Sequence, residues 1–252
     1  MAGVQGREIG IRYLSIDRGT VRVRLDVVDA DAVLHGLPVR KPPTYRGQRN
    51  YPGLFWSATT RSFLIYESLL ELDYLWLADF YPAVDWIATQ PFELSGRFGG
   101  RDHRHVPDVM LRSQHGRILI VDVKPKSRLE NAEIAAVFDW TGDVCAQHGW
   151  DYEVWSGASE ILLRNIKLLA CARLPIYFDR QIANRVIDAC VEPRAFTDII
   201  RVSSASAAEE RIVRPVVFHL LWRGILTVDL EFPITESTCL TARRGEVGEF
   251  NL

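Results

Sequence analysis

The sequence predicts an α/β domain followed by a mainly helical one. The first sign is order: helical spacing over 61–80 and 129–148 frames short strand-like runs at 84–87, 106–111 and 118–124, and another follows at 152–155. Helix, three strands, helix, strand is an α/β pattern. The second is a change of texture after residue 156. Helical patterns cover 160–172, 179–191 and part of 195–200. Ser206-Ala-Ala-Glu209 is a capping-box signal opening another helix. The third is a closing pair of short runs, Ile225–Leu230 and Cys239–Ala242, suited to a hairpin. Helices followed by a hairpin suggest a winged-helix-like module. The expected division is therefore 1–60 (N-terminal strands and a basic loop), 61–157 (the α/β core) and 158–252 (a helical domain that binds a partner or DNA).

Taken in order, Ile9–Leu14 and the alternating Val21–Val28 read as strands. Arg40–Arg49 is rich in Pro, Gly and basic residues. It reads as a solvated loop, or as a basic arm in which Arg40, Lys41, Arg46 and Arg49 follow a phosphate backbone. In the 61–80 helix, Leu69, Leu70, Leu72, Leu75, Trp76, Leu77 and Phe80 cover most of the surface, so it belongs in a core. Glu67 and Glu71 interrupt it on one face, and Pro82 ends it. Gln90-Pro91 closes the 84–87 strand, and Gly96, Gly99 and Gly100 mark a turn. The 106–111 and 118–124 runs form a hairpin across Gln114-His-Gly116, and Gly149 stops the 129–148 helix. Trp140, Trp150 and Trp155 read as core residues. In the last helix Pro215 marks a kink and Gly224 the end.

Composition narrows the partners. The 252 residues are 48% hydrophobic and 25% charged, with a formal net charge of -2. Such a chain does not coat nucleic acid, so any DNA contact comes from local patches. The four cysteines form no CxxC pair and read as reduced, mostly buried thiols rather than a zinc site. No apolar stretch is long enough to span a membrane. A soluble, cytoplasmic protein is expected.

The chemistry gathers around Ile118-Leu-Ile-Val-Asp122-Val-Lys124-Pro125. With a side-chain period of two, Asp122 and Lys124 share one face of a buried strand. An acid and an amine there are costly to bury without a purpose. Asp108, just after Pro107, supplies a second acid from the neighbouring strand, and Glu71 a third from the preceding helix. Phosphodiester hydrolysis calls for a hard cation that activates a water. Asp108 and Asp122, with the Val123 carbonyl and Glu71, are candidate oxygen ligands for Mg²⁺, with Mn²⁺ able to substitute. Lys124 is placed to orient the water, take its proton or stabilise the phosphorane charge. Each motif alone has an ordinary alternative: a solvent-facing strand end, a turn, a helix-surface acid. The ordered set points to catalysis.

A Pro-Asp followed by Asp-x-Lys on the next strand resembles the PD-(D/E)xK nuclease superfamily, whose restriction-endonuclease-like core has the element order read above. More specifically, Glu67-Ser-Leu-Leu-Glu71, Val84–Ile87, Gln90-Pro-Phe-Glu-Leu94, Val106-Pro-Asp108 and Val121-Asp-Val-Lys-Pro125 resemble the TnsA endonuclease family. The similarity covers about residues 55–156. In that family a Ser-x-x-Glu helix supplies an acid; Ser68 and Glu71 match it, and the spacing to Gln90 favours Glu71 over Glu67. The resemblance implies a Mg²⁺-dependent endonuclease that cuts the 5′ ends of a transposon in double-stranded DNA. Its partners would be a DDE-type transposase subunit and an AAA+ ATPase that binds the C-terminal region.

Other residues admit two readings. Gln90 is a buried amide tying strand end to helix, or a DNA contact. His103 and His105 are exposed strand-end histidines, or phosphate contacts. Arg211, Arg214 and Arg223, with His219 and Arg243-Arg244, form either a solvated face or the basic helix and wing of a DNA-binding module. Two other functions stay open: a restriction- or repair-type nuclease on the same core, and a non-catalytic adaptor that binds DNA or an ATPase.

Overall fold

The computed structural model describes residues 9–40 and 51–243. It is a mixed α/β structure that divides into two compact units. The first holds residues up to 78 together with 83–157; the second holds 79–82 and residues from 158 on.

The first unit contains two four-stranded sheets. In one, β1 (Gly10–Ser15) lies between β2 (Gly19–Arg24) and β6 (Glu93–Phe98), and β7 (Arg101–His105) forms the far edge; every pairing is antiparallel. Residues near the N-terminus are thus sewn into the same unit as the acids.

The second sheet carries the motif strands. Its order is β10 (Asp151–Trp155), β9 (Ile118–Val123), β8 (Val109–Ser113), β5 (Val84–Thr89). The β8–β9 pair is the expected hairpin, and β10 runs parallel to β9. All six residues of β9 are buried. A central strand covered on both faces reads as one apolar run, which is why Asp122 stands out within it.

Apart from two short helices, α1 (Ala30–Leu34) and α3 (Lys126–Leu129), the unit has two longer ones, which cover this sheet. From α2 (Leu69–Phe80), Tyr74 packs edge-on against Trp155. On the opposite face, α4 (Ala132–Gln147) brings Phe138 toward Lys124. Asn131 caps α4 by accepting the amides of Glu133 and Ile134, and Gly149 follows with φ +77°, a conformation open to glycine at little cost. Ile11, Leu94, Met110, Ile120, Trp140, Val144 and Trp150 close the core that both sheets share. Deleting a side chain such as Ile120 from it costs roughly 2–5 kcal/mol. The three tryptophans read as core are all buried.

One expected helix is shorter than its apolar pattern. Ser62–Tyr66 is a strand, β4, paired with β3 (Gly53–Ser57), and α2 starts only at Leu69. Its Phe-Leu-Ile-Tyr run suits a pleated surface, and a turn at Arg61, φ +53°, returns the chain. Of the cysteines, Cys145 and Cys190 are buried while Cys171 and Cys239 are exposed, fewer inside than expected.

The second unit begins with α5 (Glu160–Leu169). Then come α6 (Arg180–Ala189), the two-residue strand β11 (Arg194–Ala195), α7 (Phe196–Ser203), α8 (Glu210–Trp222), β12 (Leu226–Thr227) and β13 (Cys239–Ala242). The three strands form a small antiparallel sheet ordered β11-β13-β12. Pro215 sits inside α8, and Gly224, φ +64°, follows its end. Among the described residues, no helix is long and apolar enough to cross a membrane.

Candidate active site

Asp108, Asp122, Lys124 and Glu71 come from three elements and meet at one end of the second sheet. Asp108 sits just before β8, where its N–H still donates to the Val121 carbonyl at 3.1 Å. Its side chain turns back, and Oδ2 accepts the Val123 N–H at 2.8 Å. That bond holds the carboxylate against the β9 backbone midway between Asp122 and Lys124.

Burial, then the charges of Asp122 and Glu71, push the Asp108 carboxyl up to about 8; the Val123 N–H and Lys124 act in the opposite sense. Asp108 therefore lies within electrostatic reach of the other three sequence-predicted residues. A carboxyl that keeps its proton near neutrality, chiefly because it is buried, marks a functional-site candidate.

Asp122 is 1% exposed, yet both its oxygens are engaged. Tyr152 of β10 donates its hydroxyl to Oδ2 at 2.6 Å, and His105 of β7 places Nε2 at 2.9 and 2.8 Å from Oδ1 and Oδ2. Burial and the Asp122 charge raise the Tyr152 phenol, so it stays a donor. Neither role was visible in the sequence. His105 is not the exposed strand-end residue expected of it, since its side chain is only 16% exposed. The one available signal was parity: in a parallel pair, Tyr152 shares a face with Val154, which lies opposite Asp122.

Lys124 is half-buried. Its N–H extends the β9–β10 ladder to the Trp155 carbonyl, and its Nζ lies 6.0 Å from the centre of the Phe138 ring. Glu71 arrives from the α2 side. Ser68 Oγ accepts the Glu71 N–H at 3.2 Å and donates to Glu71 Oε1 at 2.9 Å, while Oε2 accepts the Glu67 N–H at 2.7 Å. This is a capping arrangement, so the Ser-x-x-Glu signature has a structural use at the start of α2 as well. Burial raises the Glu71 carboxyl, and these bonds partly offset it.

The donor set tests directly against a hard cation. Asp108 and Asp122 offer carboxylate oxygens, and a carboxylate with two donors still has lone pairs to give. Among the described residues, no three His, Cys, Asp or Glu side chains are gathered into a metal cage. Two carboxylates with a backbone carbonyl such as that of Val123 suit a cation that keeps most of its waters, which is the habit of Mg²⁺.

The remaining candidates scatter. Lys41, Arg46 and Arg49 lie outside the described residues. Arg40 forks onto Glu67 and comes within 3.7 Å of Asp108 Oδ1. Gln90 is 0% exposed, and among the described residues neither amide atom has a hydrogen-bond partner. It therefore neither ties strand to helix through its side chain nor reaches a DNA surface; its backbone does the joining. On α8, Arg211 and Arg214 lie about 60° apart at 3.6 residues per turn, whereas Arg223 is roughly 180° from Arg214, so the three do not form one basic face. Arg214 pairs with Glu236 at 2.9 Å, and His219 turns inward to the Ala172 carbonyl at 2.7 Å.

No protein-family model matches this chain, and no curated protein is significantly similar to it.

Proposed function

We propose that the protein is a Mg²⁺-dependent DNA endonuclease with a PD-(D/E)xK core, acting as the TnsA-like subunit of a heteromeric cut-and-paste transposase. The observation that carries this reading is the seating of the buried Asp108 carboxylate on the Val123 N–H at 2.8 Å, between Asp122 and Lys124 and within electrostatic reach of Glu71. The sheet supports it: a β8–β9 hairpin extended by β10 parallel to β9, with a helix on each face.

In this reading Asp108, Asp122 and the Val123 carbonyl would hold the cation, and Glu71 would complete its shell. The cation supplies charge neutralisation and a more acidic water when bound. Asp108 would have to be deprotonated to serve as a ligand. Tyr152 and His105 fix the Asp122 carboxylate in one orientation. Lys124, anchored by its backbone with its ammonium near the Phe138 ring, would orient the nucleophilic water or balance charge on the transferring phosphate.

From α6 onward the second unit has the order helix, strand, helix, helix, strand, strand, which supports a winged-helix reading. There it would dock DNA, a DDE-type transposase subunit or an AAA+ ATPase. The deciding assay is nicking of duplex DNA carrying a transposon end, in Mg²⁺ and in EDTA, with and without those partners. Cleavage confined to the 5′ ends in the assembly supports the transposase role. Cleavage of any duplex by the protein alone favours a restriction- or repair-type enzyme, and no cleavage under any condition favours an adaptor.

A further inference from the structure

Arg40 occupies an unusual position for a side chain that is 43% exposed. Its Nε donates to Glu67 Oε1 at 2.7 Å and its Nη2 to Glu67 Oε2 at 3.0 Å, a two-pronged grip. The same Nη2 is 3.7 Å from Asp108 Oδ1, too long for a hydrogen bond but close for an ion pair. Its charge also reaches Glu71. One guanidinium therefore serves three carboxylates, two of which are assigned here to the cation.

The backbone brings it there deliberately. The Gln90 N–H donates to the Asp108 carbonyl at 2.9 Å, and the Gln90 carbonyl accepts the Val39 N–H at 2.9 Å. Val39 precedes Arg40, so Gln90 is the rivet between Asp108 and the arginine. Gln90 holds φ +41°, a region a non-glycine residue enters at a cost. The strain is maintained at a residue that links the Arg40 backbone to Asp108.

We propose that Arg40 is a two-position phosphate-binding residue: parked on Glu67 and Asp108 in the free protein, its guanidinium transfers to a non-bridging phosphate oxygen of bound DNA and so leaves the acids to the divalent cation. Glu67 is its positioning residue. The inference rests on the nuclease reading and adds an order of events to it. A guanidinium fork fits phosphate as well as carboxylate, so the exchange replaces one two-pronged partner by another. Partly exposed ion pairs hold weakly, so the exchange is cheap. While parked, the fixed positive charge opposes entry of a second cation beside Asp108.

The test is calorimetric titration of Mn²⁺ into the full-length protein, without DNA and at low salt, for wild type, Arg40→Ala and Arg40→Lys. Loss of the competing charge should tighten Mn²⁺ binding about tenfold in Arg40→Ala. Arg40→Lys, which keeps the charge but not the fork, should fall between. Anisotropy of a labelled duplex in EDTA should show weaker DNA binding in the order wild type, Lys, Ala. A second variant, Glu67→Gln, loosens the parking site without removing the arginine and should tighten duplex binding. Mn²⁺ affinity unchanged or weakened in Arg40→Ala, at an unchanged melting temperature, overturns the proposal alone. Should the alanine variant melt early, the lysine variant decides by the same comparison. Absence of Mn²⁺ binding in wild type and variants alike overturns both the proposal and the nuclease reading beneath it.

Discussion

Tyr152 donates its hydroxyl to Asp122 Oδ2 at 2.6 Å, from a neighbouring strand and across the same sheet face as Lys124. A carboxylate that must bind a cation gains from such a partner because it cannot swing away. Tyr152→Phe removes only the donor and leaves the ring to pack. We expect a 10–100-fold fall in cleavage or in cation affinity with little change in melting temperature, the scale usual for a residue that orients a metal ligand. Cation titration and single-turnover nicking measure the two; no change in either would reduce the bond to packing.

Lys124→Ala should abolish cleavage, by at least about 10²-fold, while folding and DNA binding stay near wild type. Among the described residues the ammonium makes no ion pair on which the fold depends, and its ladder bond to Trp155 is made by the backbone. A variant that nicks DNA in Mg²⁺ at close to the wild-type rate would mean the site is wrongly assigned.

Glu71 carries two readings that one substitution separates. As a cap it needs an oxygen to accept the Glu67 N–H; as a catalytic acid it needs a charge. Glu71→Gln keeps the first and loses the second. Stability should stay within about 1 kcal/mol of wild type while cleavage disappears. Full activity in that variant would leave Glu71 as a helix cap only.

Asp108 sets a pH dependence whose sign follows from its raised carboxyl. Between 3.8 and about 8 the folded protein holds a proton there that the unfolded chain has lost. Its contribution to stability is therefore complete at the acid end of that window and is lost as pH rises through it. Glu71, also raised, acts in the same direction. Asp108→Asn, which still accepts the Val123 N–H, should melt higher than wild type at pH 8 in EDTA and flatten the decline. It should also be inactive. A melting temperature below wild type at pH 8 would show that the carboxylate is well compensated without a cation.

The Asp108–Lys124 part of this site was legible because it is local. A proline before Asp108, the hairpin turn and the two-residue strand period fix which acids and amines are neighbours once the strands are assigned. Glu71 was legible only through its motif, and that motif doubles as a cap. His105, Tyr152 and the Arg40–Glu67 pair were not legible as partners of the acids. Their proximity arises from a parallel strand pairing, a second sheet and a backbone bridge through Gln90, none of which leaves a spacing in the chain. The 62–66 strand was misread because apolar residues at its positions continue the helical pattern of α2, and only pairing with Gly53–Ser57 decides between them.

The last prediction is that cleavage is conditional. The net charge of -2 gives the chain no long-range pull on DNA. Near the acids, Arg40 is spent on Glu67 and Asp108, and Asp108 keeps its proton up to about pH 8. In the proposed reading the arginine would be released by a delivered phosphate and the Asp108 proton displaced by the cation. On α8, Arg211 and Arg214 could add DNA contact but Arg223 points elsewhere, so the second unit offers a narrow basic patch rather than a groove. We therefore expect the full-length protein alone to nick duplex DNA weakly in Mg²⁺ at moderate salt. A transposon-end duplex with a cognate transposase and ATPase should stimulate it strongly. Arg211→Glu should lower the affinity of the assembly for DNA and reduce the salt slope by about 1, whereas Arg223→Glu should leave the slope unchanged. Robust, sequence-indifferent cleavage by the protein alone would refute conditional control and favour a free-standing restriction- or repair-type nuclease.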